Sequence, residues 1–163
     1  MPWWYLSRVT LYTLFLLFLQ SYWVSLFPQP VLHIDLLLPL MFGAAVEWPP
    51  LLSLTWASAW GFVMDTLSGK FWGLHVGSYV VAVSMVNLTA ERLELYNPLY
   101  QMLFVAACAL GQSLALGLFL TFEAPGHVEI PSIATSLIIR SMLMAFLTPL
   151  ITYPVWNIRG RKP

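Results

Sequence analysis

The chain has 163 residues, 60% of them hydrophobic and 9% charged, with seven Lys+Arg balanced by seven Asp+Glu. Soluble domains carry about a quarter charged residues, and so few charges cannot cover a soluble surface of this size, so the bilayer is the natural solvent. Zero net charge without a long basic block speaks against nucleic acid as a partner, and the single cysteine, Cys108, excludes an intrachain disulfide or a cysteine-built metal cluster.

The opening stretch MPWWYLSRVTLYTLFLLFLQSYWVSLF is too long and bulky for a cleaved signal peptide and lacks a small-x-small cleavage site. It reads as a first membrane helix over about residues 6–27, since about 20 apolar residues make a span. Trp3, Trp4 and Tyr5 form its aromatic belt, and Pro28 and Pro30 end it. The next apolar segment divides at EWPP into stretches at about 34–47 and about 50–66, each shorter than a standard span. Short helices packed inside a bundle and a re-entrant hairpin are the two readings, and a helical hairpin of two short or tilted spans is expected. A clean span at about 71–90 is closed by ERLELYN, and one at about 98–122 lies between YNP and EAPGHVEIP. The last, about 131–157, is interrupted by Arg140, Pro149 and Pro154. The expectation is all-α: a polytopic integral membrane protein, a single transmembrane domain over residues 1–163 and a bundle of six transmembrane helices.

Lysine and arginine near helix ends set orientation. With the N-terminus inside, Arg8, Arg92, Arg159, Arg161 and Lys162 gather on the cytoplasmic side. Lys70 stays outside, where the last loop carries Glu123 and Glu129. Both termini are therefore expected in the cytoplasm.

Polar residues within the apolar segments need partners. Arg140 lies about ten residues into the last helix, where a central arginine costs roughly 2.5–3.5 kcal/mol on insertion scales. It should face the bundle and pair with an acid, Asp65 first and Glu129 second. Asp65 ends the third helix, where the dipole already disfavours an anion. Its carboxylate should therefore find Lys70, Arg140 or backbone N–H groups of the next helix. Gly69 suits a left-handed residue after a C-cap at Ser68, and Ser68 suits an N-cap for the fourth helix if the turn is tight. Gly69, Gly73 and Gly77 make one small-residue stripe, expected where the third and fourth helices cross. Ala107, Gly111 and Ala115 make another on the fifth helix, a candidate face for an outside helix.

Catalytic patterns are thin. GQSL, Gly111–Leu114, resembles the nucleophile motif of rhomboid intramembrane proteases, but the last helix has no histidine to complete a dyad. Ser113 is therefore expected to hydrogen-bond between helices. His33, His75 and His127 show no metal-ligand spacing and read as outer-interface residues. No catalytic, cofactor-binding or metal-binding residue is expected, and no cofactor.

The segment GFVMDTLSGKFWGLH, from Gly61 to His75, resembles the signature of the rod shape-determining MreD family, with Gly61, Asp65, Ser68, Gly69, Gly73 and Leu74 as the matching residues. HIDLLLPLMFGAAVEWPP is similar to that family's second helix and connection, and SYVVAVSMVN to its fourth helix. The resemblance implies a non-enzymatic scaffold subunit of the bacterial cell-wall elongation complex, in the inner membrane, that helps to maintain rod shape. It implies contact with the membrane helix of a bitopic MreC-like protein, and through it with MreB, RodA and a class B penicillin-binding protein. The family is similar in fold to the S-components of energy-coupling-factor vitamin transporters, which makes a substrate-binding S-component the rival reading. Asp65, Lys70, His75 and Glu129 would then line an outer pocket, although the first helix lacks the Ala-x-x-x-Ala pattern S-components use for coupling.

Overall fold

The computed structural model describes residues 3–26, 34–68, 72–90, 97–123 and 130–158. Among them every element is helical: α1 (Trp3–Leu26), α2 (Leu37–Glu47), α3 (Pro50–Ser68), α4 (Leu74–Thr89), α5 (Pro98–Glu123) and α6 (Ile130–Ile158). Proline stands at the first position of α3 and of α5, where its missing N–H costs nothing and its fixed φ suits a helix start. Pro149 and Pro154 lie inside α6, which continues through both.

Several hydroxyls inside the helices are satisfied locally. Thr10, Thr13 and Thr148 each donate to the carbonyl four residues back at 2.7 Å, on Leu6, Val9 and Met144. A hydroxyl that folds back in this way needs neither water nor a neighbouring helix.

The helices pair α3 with α4 and α5 with α6, and α2 packs against both α6 and α4. α2 has 11 residues, about 16 Å at 1.5 Å per residue, and all of them except Val46 are buried. A helix that is apolar all round belongs in an interior. Of the two short or tilted helices expected here, α2 is a short strut enclosed by the others and α3 has 19 residues. Gly43 allows this enclosure on the α6 side, where a Cβ would come within 3.2 Å of Thr152 Cγ2.

Large apolar side chains cover the outside. Phe18 is 72% exposed, Leu103 70% and Phe146 70%, whereas Asp35, Asp65, Gln101, Gln112 and Thr152 are buried. Among the described residues two helices, by their segments Pro98–Ala115 and Leu137–Val155, are long and apolar enough to cross a membrane.

Candidate functional site

Two buried polar groups stand out. The first is the junction of α3 and α4, where Asp65 is 1% exposed. Its Oδ2 accepts the Gly73 N–H at 2.9 Å and the Val76 N–H at 3.3 Å. Its Oδ1 accepts the His75 N–H at 2.9 Å and lies 2.9 Å from His75 Nδ1. An ionised carboxylate can only accept, so Nδ1 is the protonated ring nitrogen.

The first N–H groups of a helix have no intrahelical partner, and the positive end of its dipole attracts an anion. Asp65 meets both needs of α4. The carboxylate sits at the unfavourable end of its own helix because it sits at the favourable end of the next. Of the partners open to it in the sequence, the backbone of the fourth helix is the one observed. Lys70 and Gly69 lie outside the described residues. Ser68 does not cap α4: it belongs to α3, and its hydroxyl donates to the Asp65 carbonyl at 3.2 Å.

The glycines of the motif divide their work differently from the expected stripe. α4 begins at Leu74, and Gly73 is its N-cap with φ +93°, a left-handed conformation that favours glycine. A Cβ on Gly73 or Gly77 would meet nothing within 4 Å, so neither makes room for a helix crossing. Gly61 does: its Cβ would lie 2.6 Å from Val76 Cα and 2.9 Å from Val76 N. The close approach of α3 and α4 therefore rests on Gly61, and the expectation that Gly73 provides it is corrected; Gly69 lies outside the described residues.

Removing the Asp65 carboxylate should free the start of α4. Loss of a capping side chain costs about 0.5–2 kcal/mol, and Asp65 caps several donors at once. Asp65→Ala is expected at the upper end of that range, about 2 kcal/mol, with Asp65→Asn smaller because one amide oxygen still accepts. Thermal unfolding of the purified variants in detergent measures this, and an Asp65→Ala protein as stable as the parent would exclude the capping role.

The second group surrounds Asp35, just ahead of α2. The carboxylate is 2% exposed. Tyr79 Oη on α4 donates to both its oxygens, at 2.7 and 2.8 Å, Gln112 Nε2 on α5 donates to Oδ2 at 3.3 Å, and the Leu37 amide donates to Oδ1 at 3.2 Å. Gln20 Oε1 on α1 accepts the neighbouring Leu36 amide at 3.2 Å. Three helices, α1, α4 and α5, thus converge on the N-terminal end of the strut. The His75 ring packs edge-on against the Tyr79 ring at 6.1 Å.

Among the described residues Arg140, on α6, joins neither group by a hydrogen bond. Its Nε is buried without a hydrogen-bond partner, and the ion pair of Asp65 is with His75. The direct Arg140–Asp65 pair is therefore not formed, because Asp65 is already occupied by the start of α4. Glu129 lies outside the described residues, as do His33 and His127. Ser113 is buried with Oγ unpartnered, so the expected interhelical bond is not made. Ala107, Gly111 and Ala115 are exposed along α5, with open space around a Gly111 Cβ. No group of three or more metal-ligating side chains occurs among the described residues.

Asp35 and Tyr79 escaped the sequence reading. Asp35 is an acid immediately before an unbroken apolar run, Leu36–Leu38, and an ionisable residue in such a setting is by itself a functional-site signal. Tyr79 carries no such signal, since a tyrosine in an apolar helix is commonplace.

Comparisons of the chain with models of known families, with curated proteins and with solved structures found no match.

Proposed function

We propose that this chain is a multi-pass scaffold subunit of the bacterial cell-wall elongation complex in the inner membrane, of the MreD type. In this reading all six helices lie in the membrane around the strut α2, both termini are cytoplasmic, and the protein performs no chemistry. It binds the membrane helix of an MreC-like bitopic partner and through it joins MreB, RodA and a class B penicillin-binding protein. The observation that carries the reading is the exposed face of Ala107, Gly111 and Ala115 on α5, a strip of small residues on a helix that also exposes Leu103, Leu110 and Leu114. In lipid, helices associate through close van der Waals contact, which small residues permit. The resemblance of Gly61–His75 to the family signature supports the same conclusion.

The test is co-purification from detergent-solubilised membranes. Gly111→Leu should leave the amount of this protein unchanged, because nothing packs on Gly111, and should reduce recovery of the bitopic partner several-fold. Full recovery would remove α5 as the partner face. Reporter fusions after Pro163 and in the EAPGH loop check the orientation, and an external C-terminus would reverse it.

The S-component reading is favoured by one specific observation. The Asp35 group is a buried polar centre that joins α4 and α5 to the start of α2, with Gln112 Oε1 unpartnered. Scaffolding alone does not need such a centre. Uptake of a labelled vitamin that depends on this chain together with an ATPase module would favour the transporter, and its absence the scaffold.

A further inference from the structure

His75 stands between the surface and the Asp35 centre. Residues 72–78 are all exposed or partly exposed, and Tyr79 is the first buried residue of α4. Residues four apart on a helix are neighbours on one face, and the His75 ring packs edge-on against the Tyr79 ring, with centroids 6.1 Å apart. The His75 side chain is 15% exposed, whereas Tyr79 is 0% and Asp35 2% exposed. From the surface inward the order is therefore His75, Tyr79, Asp35, the last two joined at 2.7 and 2.8 Å.

A single side-chain bond holds the imidazole in place. Nδ1–H donates to Asp65 Oδ1 at 2.9 Å, while the backbone N–H of His75 makes its own bond to that oxygen, also at 2.9 Å. The Gly73 and Val76 amides donate to Oδ2. The ring can thus swing about χ1 without uncapping α4: the three amides stay on Asp65, and only the ring bond and the contact with Tyr79 are given up. What lies beneath gives such a movement a use. Asp35 is a carboxylate, and Gln112, whose Nε2 reaches it at 3.3 Å, has its Oε1 buried without a partner. Both present acceptors, so a species arriving from the surface is received as a hydrogen-bond donor, water before any other.

We propose that His75 is a movable cover on the Asp35 centre: Asp65 holds the ring shut over Tyr79, and release of that one bond opens a path from the surface for water and small hydrogen-bond donors. The cover works in the same way in a scaffold and in a transporter subunit, and its test needs neither the partner nor an orientation in the membrane.

Hydroxyl-radical footprinting of the full chain in detergent, read residue by residue by mass spectrometry, measures the opening. In the parent, after correction for intrinsic reactivity, Tyr79 is expected to be oxidised at least threefold faster than Phe42, which is 1% exposed on the enclosed α2. Two variants separate the ring from its bond. His75→Asn keeps a side-chain N–H for Asp65 and removes the ring, and Tyr79 oxidation should rise at least fivefold over the parent. His75→Phe keeps a ring and loses the bond, and Tyr79 oxidation should fall between the parent and His75→Asn. A residue that merely helps to cap α4 gives the reverse order, because there the lost bond matters and the lost ring does not. Tyr79 oxidised no faster than Phe42 in the parent overturns the proposal, and so does a His75→Phe value equal to or above that of His75→Asn. If either variant does not fold, the parent comparison alone decides.

Discussion

Replacing Asp35 with alanine is expected to lower the stability of the purified protein by about 3–5 kcal/mol, the range for breaking a buried charged partnership from one side. The carboxylate holds donors from α4, α5 and the start of α2, and alanine returns none of those bonds. The donors are then stranded in an interior, where an unmade hydrogen bond costs more than a made one contributes. Arg140 is itself buried at Nε without a hydrogen-bond partner, and neither it nor Asp35 forms an ion pair among the described residues, so the two unpaired charges of opposite sign are the candidates to offset each other. For that reason Asp35→Asn and Arg140→Gln should be coupled, with the double variant losing about 1–2 kcal/mol less than the sum of the singles. The same cycle between Arg140 and Asp65 should be close to additive, because Asp65 is engaged by Gly73, His75 and Val76. Unfolding of the four proteins of each cycle in detergent supplies the numbers. Coupling of Arg140 to Asp65 with none to Asp35 would show that the charge is balanced at the α3–α4 junction instead.

The second large effect is expected at Gly61. A single methyl there would overlap Val76 Cα at 2.6 Å and Val76 N at 2.9 Å, and both are backbone atoms that no rotamer change can move. α3 and α4 must separate, which also pulls the α4 amides away from Asp65. Overpacking typically costs about 1–3 kcal/mol, and Gly61→Ala should fall at the top of that range. For a chain of this size that corresponds to a drop of roughly 6–12 °C in melting midpoint. Two controls separate this from a general glycine effect. Gly77→Ala meets open space and should be neutral or stabilising by up to about 1 kcal/mol through helix propensity. Gly73→Ala meets open space as well but keeps φ at +93°, and should cost about 1–2 kcal/mol from the left-handed backbone alone. Equal losses at Gly61 and Gly77 would remove the helix crossing as the cause.

The sequence by itself determined where helices start and stop. Length of apolar run, prolines at 28, 30, 49 and 50, and the polar clusters ERLELYN and EAPGHVEIP are local signals, and local signals survive without tertiary context. It also exposed the oddity of Asp65, because a helix dipole is a property of one helix and the mismatch of an acid at its C-terminal end needs no knowledge of neighbours. The small residues of α5 were legible for the same reason, as a spacing along one helix. What the tertiary structure alone decided is which faces meet. Assigning a face normally relies on apolar–polar periodicity, and a chain that is 60% hydrophobic offers little of it: α2 and α3 read alike although one is enclosed and the other is not. So the glycine that admits the crossing is Gly61 rather than Gly73, and Asp65 is spent on α4 rather than on Arg140. The polar centre gathers at Asp35, Tyr79 and Gln112, residues 44 and 77 positions apart along the chain. Such a meeting is set by how α2 is enclosed by α4, α5 and α6, and sequence spacing holds no record of it.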